Sequence, residues 1–173
     1  MFEQKITSFQ IVVEDCSEDI DLLNKTINSI KEIDYPNRWF GIVLSTKKNK
    51  NWTTVPSVVD NLKQENYIVS AVIQLLEHSS SHETFCFSTF KEADYFCKIY
   101  SGDTIDKNFL KQINSYNIPD SPPKADIDFA EGENICAIKS SLAIDNYLKF
   151  LNYDLMEKHL KEESKKRKKY IKI

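Results

Sequence analysis

Ile6-Thr7-Ser8-Phe9-Gln10-Ile11-Val12-Val13-Glu14-Asp15 reads as a buried strand running into a loop: β-branched and aromatic residues fill it, and an acidic pair stops it. Behind it, Ile20, Leu23, Ile27 and Ile30 recur at spacings of three and four, with Leu22 and Ile33 widening the stripe. This is the period of an amphipathic helix, and Asp15, Glu18, Asp19 and Asp21 place negative charge at its start, where the helix dipole favours it. Tyr35-Pro36-Asn37 ends the helix, since proline disfavours helical geometry in the preceding residue, and Trp39 to Leu44 is again apolar and strand-like. Strand, helix and strand in this order build parallel sheets with right-handed crossovers.

The alternation continues outward from this unit. A helix is expected from about Pro56 to Gln64, a strand over Tyr67 to Ile73, a short helix over Glu83 to Ala93 and a strand over Tyr95 to Tyr100. A helix over Thr104 to Ile113 follows, then an extended proline-bearing loop from Tyr116 to Asn134 and a short strand over Ile135 to Ile138. A helix over Ser141 to Phe150 and a last one starting near Asn152 complete the pattern, with Glu157/Lys161 and Glu162/Lys166 in the favourable i,i+4 order before Lys165 to Lys169 fray into solvent. The expected fold is therefore one α/β domain, Rossmann-like, with a mostly parallel sheet flanked by helices. Residues 1–155 form the domain and 156–173 a basic helix end and tail.

Composition narrows the function. The chain has 173 residues, 41% of them hydrophobic, enough for one core. Apolar runs are too short for a membrane span, and Glu3 and Lys5 stand where a signal peptide would begin. Cys16, Cys86, Cys97 and Cys136 are scattered without a C-x-x-C pair, which points away from a zinc site or disulfide framework and towards reduced thiols in a cytoplasm. Net charge is −3, so the chain as a whole gives no reason to expect nucleic acid as a partner, although eight basic and three acidic residues from Met156 onward leave a local basic patch.

Several strings, taken in order, resemble the inverting family-two glycosyltransferases of GT-A type. Lys25-Thr26-Ile27-Asn28-Ser29-Ile30 and Asp34-Tyr35-Pro36-Asn37 match that family's first helix and the turn after it. Tyr95-Phe96-Cys97-Lys98-Ile99-Tyr100-Ser101-Gly102-Asp103-Thr104-Ile105-Asp106-Lys107-Asn108-Phe109-Leu110 follows its metal-binding segment without a gap. The resemblance covers about the first two-thirds of the chain. It implies a nucleotide-sugar donor, an acceptor hydroxyl, and a divalent cation, manganese or magnesium, to hold the departing diphosphate. The D-x-D positions are occupied by Tyr100 and Gly102, so the motif is degenerate and Asp103 is the acidic position that remains as a metal or diphosphate contact. Where the family has acidic residues after its second strand, Ser45 and Thr46 stand here, and Glu14 and Asp15 can reach a nucleotide from the end of the first strand. The family's catalytic base aligns with Asp154 in Asn152-Tyr153-Asp154-Leu155.

Each assignment has a plainer alternative. Asp103, with Asp106 three residues on, has the pattern of a helix N-cap, as does Asp15 with Glu18; Asp154 falls in a first helical turn, where negative charge is favourable in any case. Trp52 is a candidate to stack on a base or sugar, Cys97 and Cys136 read as core residues, and His78 and His82 flank a serine turn unsuited to ligation. Two other functions remain open: a non-catalytic GT-A-like module within a larger protein assembly, and a nucleic-acid accessory protein acting through the lysine tail. For the transferase, Asp103, Asp15 and Ser45 are expected around one cleft at the carboxyl ends of the strands.

Overall fold

The computed structural model describes residues 6–16, 18–47, 52–74, 93–117, 127–150 and 152–173. Within them seven strands form one sheet: β1 (Phe9–Glu14), β2 (Phe40–Lys47), β3 (Ile68–Gln74), β4 (Tyr95–Tyr100), β5 (Phe129–Glu131), β6 (Cys136–Lys139) and β7 (Tyr170–Lys172). Their order is β3-β2-β1-β4-β6-β5-β7, and β6 runs against the others. β3, β2, β1 and β4 are adjacent and parallel, as the alternation of strands and helices implies, in a register that sets Val13 beside Leu44 and Ile99. Among the described residues five α-helices flank the sheet: α1 (Ile20–Lys31), α2 (Thr54–Gln64), α3 (Phe109–Asn117), α4 (Ser140–Phe150) and α5 (Tyr153–Lys166).

Strand alternation divides the core between two faces. Phe9, Ile11 and Val13 of β1, with Phe40, Ile42 and Leu44 of β2, pack against Leu23, Ile27 and Ile30 of α1, Val55, Val59 and Leu62 of α2, and Phe109, Leu110 and Ile113 of α3. Val12, Val43 and Phe96 point the other way, towards Ala143 and Tyr147 of α4 and Met156 and Leu160 of α5. The side chains of β1 and β4 that carry polar tips towards the sheet's carboxyl edge, Glu14, Lys98 and Tyr100, alternate onto this second face.

Three departures from the sequence reading have local causes. The helix expected from Thr104 starts at Phe109 instead, because the preceding segment is drawn along α1: Thr26 Oγ1 accepts from Gly102 N at 2.9 Å and donates to Asp103 O at 2.7 Å, while Ser29 Oγ accepts from Ile105 N at 3.2 Å. The long loop expected from Tyr116 begins as the last turn of α3 and later contains β5, three residues long and too short to show a period; β5 is joined to β6 by a turn closed by Gly132 N donating to Ile135 O at 2.7 Å.

The lysine run does not fray. Lys168 takes a positive φ of 56°, Lys169 N donates to Ser164 O at 2.8 Å, and the chain turns into β7, parallel to β5. Met156 and Leu160 are buried, so residues 156–173 complete α5 and the sheet edge rather than trailing as a tail. The helix expected over Glu83 to Ala93 lies outside the described residues except for Ala93, and His78, His82 and Cys86 lie outside them altogether. Among the described residues no helix is long and apolar enough to cross a membrane.

Candidate active site at the carboxyl edge of the sheet

Glu14 ends β1 between two parallel neighbours. It pairs with Tyr100 of β4 on one side, and on the other Ser45 of β2, fully buried, donates from Oγ to Glu14 Oε2 at 2.6 Å. A hydroxyl aimed at one carboxylate oxygen fixes the carboxylate's orientation and leaves its second oxygen to accept elsewhere. Cys16 N donates to Ser45 O at 3.2 Å, so the chain leaving β1 folds over the end of β2. Asp15 makes that turn with a positive φ of 58° and is exposed.

Across Tyr100 the edge continues into α5. Lys98, two residues before Tyr100 and on the same face of β4, sets its ammonium 4.1 Å from the centre of the Tyr153 ring and 5.4 Å from that of Tyr100. Burial raises the Tyr100 hydroxyl pKa; Lys98 pulls it back, while the charges of Asp154 and Glu14 push it up. Tyr100 therefore feels carboxylates from both sides, one from β1 and one from α5. Tyr153, at the start of α5, is buried, and its hydroxyl lies 3.5 Å from Cys136 Sγ.

Lys98, Tyr100, Tyr153, Asp154 and Glu157 line a cavity of about 310 Å³, whose far wall is the β5–β6 turn from Glu131 to Cys136. A larger groove of about 680 Å³ lies behind that turn, against Ser29 and Glu32 of α1 and residues 104–109. It includes none of Glu14, Asp15, Ser45, Trp52, Asp103 and Asp154, whereas the smaller cavity includes Asp154 and is the candidate site.

The sequence candidates divide as follows. Glu14 and Ser45 are in direct contact, and Asp154 faces Tyr100 from the cavity wall. Asp154 is not needed as a cap, because Asn152 Oδ1 accepts from Leu155 N at 3.1 Å. Asp15 does not cap α1 either; Asp19 does, accepting from Asp21 N at 2.8 Å and Leu22 N at 3.2 Å. Asp103 does not cap α3, which starts beyond Asp106, whose Oδ1 accepts from Asn108 N at 2.8 Å. The backbone of Asp103 is held against α1, and the residue does not line the cavity. Trp52 is half-buried in the turn before α2, its carbonyl accepting from Val55 N at 3.2 Å, and it too lies off the cavity.

The residues present do not fit a divalent cation. Among the described residues no three His, Cys, Asp or Glu side chains converge on a metal position. Gly102 has φ 101°, which L side chains rarely adopt, and a Cβ there would lie 3.3 Å from Leu22 Cδ2. One of the two missing carboxylates thus falls at a position that disfavours any side chain.

Burial raises the pKa values of Cys16, Cys97 and Cys136 above the ordinary thiol range, as expected for core residues and not for nucleophiles. Part of the basic run is paired within the chain: Lys165 with Glu162 at 3.1 Å, Lys166 with Glu163 at 2.8 Å and Arg167 with Asp128 at 3.6 Å.

The sequence reading missed Lys98, Glu157 and the β5–β6 turn, and named Tyr153 only within the Asn152 to Leu155 match. Lys98 left a signal, since a lysine inside Tyr95-Phe96-Cys97-Lys98-Ile99 faces a polar opening or a partner. The turn left none, because β5, the strand that enters it, is too short to show a period.

No family model and no curated protein matches the chain. Solved structures do. S. aureus TarS 1-349, also solved with UDP-GlcNAc, superposes with a TM-score of 0.62 at 15% identity, over 81% of this chain and 49% of that one. The mannosyltransferase PcManGT from Pyrobaculum calidifontis, solved with GDP-Man and Mn2+, gives 0.62 at 10% identity, over 80% of this chain and 46% of the other. A Bacillus anthracis protein assigned as a glucose-1-phosphate thymidylyltransferase gives 0.61 at 10%, over 96% and 87%. The chain thus spans about half the length of TarS and of the mannosyltransferase. At such identities the likeness concerns architecture alone, and that architecture is the GT-A, Rossmann-like fold expected from the sequence.

Proposed function

We propose that the chain is a glycosyltransferase-like protein that binds a nucleotide-activated sugar at the carboxyl edge of its sheet and transfers the sugar to an acceptor hydroxyl. The observation that carries this reading is the arrangement around Tyr100, with the Glu14–Ser45 pair on one side and Asp154, in the wall of a cavity, on the other. Open α/β sheets bind ligands at this edge. Glu14, oriented by Ser45, accepts hydrogen bonds from the nucleotide, with Asp15, next in the chain, and Trp52, in the turn before α2, as its further candidate contacts. Asp154 takes the acceptor proton as the acceptor oxygen attacks the anomeric carbon; the bond to the diphosphate breaks, the diphosphate leaves with the electron pair, and the configuration inverts. No metal enters these steps, because the acidic positions that would hold one are Tyr100 and Gly102, and Asp103 stands without a second carboxylate in the motif. Three buried, free cysteines support a reducing compartment such as the cytoplasm.

Calorimetric titration of the full chain with UDP and GDP, with and without manganese, tests the donor half of the reading. Binding that changes little with metal and weakens in Ser45→Ala is the expected result. If no nucleotide or nucleotide sugar binds under either condition, donor binding is excluded and with it transfer. The loss of the paired aspartates, one of them to a glycine with positive φ, favours a second reading in which the fold serves as a non-catalytic module of a larger assembly. Under that reading the chain binds no donor but co-purifies with a partner.

A further inference from the structure

The cavity beside Tyr100 has a charge balance that the proposed reaction does not by itself require. Lys98 is its positive lining residue, against Glu131, Glu133, Asp154 and Glu157. Glu131 is neutralised from outside: Lys161 Nζ lies 2.6 Å from its Oε1, and the Tyr170 hydroxyl donates to its other oxygen. Three carboxylates remain against Lys98 within the cavity, with Lys161 acting on Glu157 from outside it, so negative charge is in excess. The Lys98 ammonium is itself pinned over the faces of Tyr153 and Tyr100, where the negative quadrupole of the rings holds it.

The other lining groups suit a compact polyhydroxyl ligand. Tyr100 is 44% exposed at the mouth and offers a flat apolar surface to the C–H face of a sugar ring. Asn134 adds an amide that donates and accepts, and the carboxylates accept from hydroxyls. A volume of about 310 Å³ accommodates a single sugar residue and not an extended chain. A phosphate group brought among this excess of carboxylates meets like charge in a partly enclosed space, where screening is weak.

We propose that this cavity is an acceptor pocket selective for a neutral or amino sugar, rejecting phosphorylated ones through the excess negative charge of Glu133, Asp154 and Glu157. The proposal rests on the reading of Asp154 as the base, and it adds the chemical class of the acceptor.

The test uses the isotope-labelled full chain and backbone amide NMR, titrated at low salt with glucose, glucosamine below neutral pH, and glucose 6-phosphate. Shifts at Tyr100, Asn134 and Glu157 are expected for glucose and glucosamine, with glucose 6-phosphate weaker by on the order of tenfold or more. The double variant Glu133→Gln/Glu157→Gln is expected to lose most of that discrimination. Glu133→Gln alone, at an exposed turn position, serves if the double variant misfolds and is expected to lose part of it. Equal or tighter binding of glucose 6-phosphate overturns the proposal, as does discrimination unchanged in the variants or silence of the cavity signals towards all three sugars. UDP added to the same sample reports on Glu14 and Ser45 separately. Failure of the donor reading therefore appears as silence towards UDP, whatever the sugars do.

Discussion

Replacing Gly102 by alanine isolates the backbone constraint that holds the loop after β4 in place. Its φ of 101° lies beyond the usual left-handed region, and its N–H is shared between Leu22 O at 3.1 Å and Thr26 Oγ1 at 2.9 Å, so the residue cannot relax without giving up its ties to α1. A backbone forced into so sparsely populated a region costs about 1–3 kcal/mol. The new methyl group meets Leu22 Cδ2 at 3.3 Å, but Leu22 is 44% exposed and its side chain can yield, so packing adds little to the backbone term. Against this, alanine narrows the unfolded ensemble and returns roughly 0.4–1 kcal/mol. The net expectation is a loss of about 1–2 kcal/mol, or about 2–8 °C in Tm for a domain of this size. Urea unfolding followed by circular dichroism, with a calorimetric Tm, measures it. An unchanged or more stable Gly102→Ala protein would refute the reasoning, because it would mean that the loop adopts an ordinary conformation and that an acidic residue could occupy this position at no cost.

Thr26→Val keeps the shape of the side chain but removes the hydroxyl that serves both Gly102 N and Asp103 O; a loss of about 1–3 kcal/mol is expected by urea unfolding, with m unchanged. Glu131 has its pKa held below the usual value of 4.5 by the hydrogen bonds from Lys161 and Tyr170. The unfolded chain therefore takes up this proton first as pH falls, so the stability contributed by Glu131 is complete above about pH 4.5 and is lost as pH falls through the lower folded value. In Glu131→Gln that part of the acid dependence disappears, and a pH series of unfolding midpoints would show the flatter limb. If the basic run Lys165 to Lys169 served nucleic acid, affinity for duplex DNA would fall steeply with added salt; the pairing of Lys165, Lys166 and Arg167 within the chain predicts weak binding, measurable by fluorescence anisotropy across a salt series.

The parallel half of the sheet was legible because its elements are long enough to show a period. Ile20, Leu23, Ile27 and Ile30 define α1 without ambiguity, and the runs in β1, β2 and β4 are near-continuous apolar stretches, as strands covered on both faces must be. Of the remaining strands, β6 was marked by the apolar run Ile135 to Ile138, but β5 and β7 were not legible, for the opposite reason. β5 and β7 have three residues each, and what places them is partners distant in sequence: Ile173 N donates to Glu131 O at 2.8 Å, and Asp128 N to Lys169 O at 2.9 Å. From sequence alone, Lys165 to Lys169 is a charge run at a helix end, and nothing local says that Ser164 O will capture Lys169 N and turn the chain back into the sheet.

The same distinction governs the candidate site. Glu14, Ser45 and Asp154 were accessible because each lies at the end of a recognisable element, where a polar residue after an apolar run stands out. Their relation was not accessible, since the contact between Glu14 and Ser45 follows from a register, and the approach of Asp154 to Tyr100 follows from the start of α5, where Tyr153 packs against Phe96 of β4 and Cys136 of β6. Asp103 marks the limit from the other side. Its position matched a motif, but Thr26 and Ser29 tie the backbone around it to α1, so that segment is shaped by α1 and not by the cavity. A side chain's reach is set by the hydrogen bonds that fix its backbone, and at residues 102 to 105 those bonds come from a helix 76 residues away along the chain.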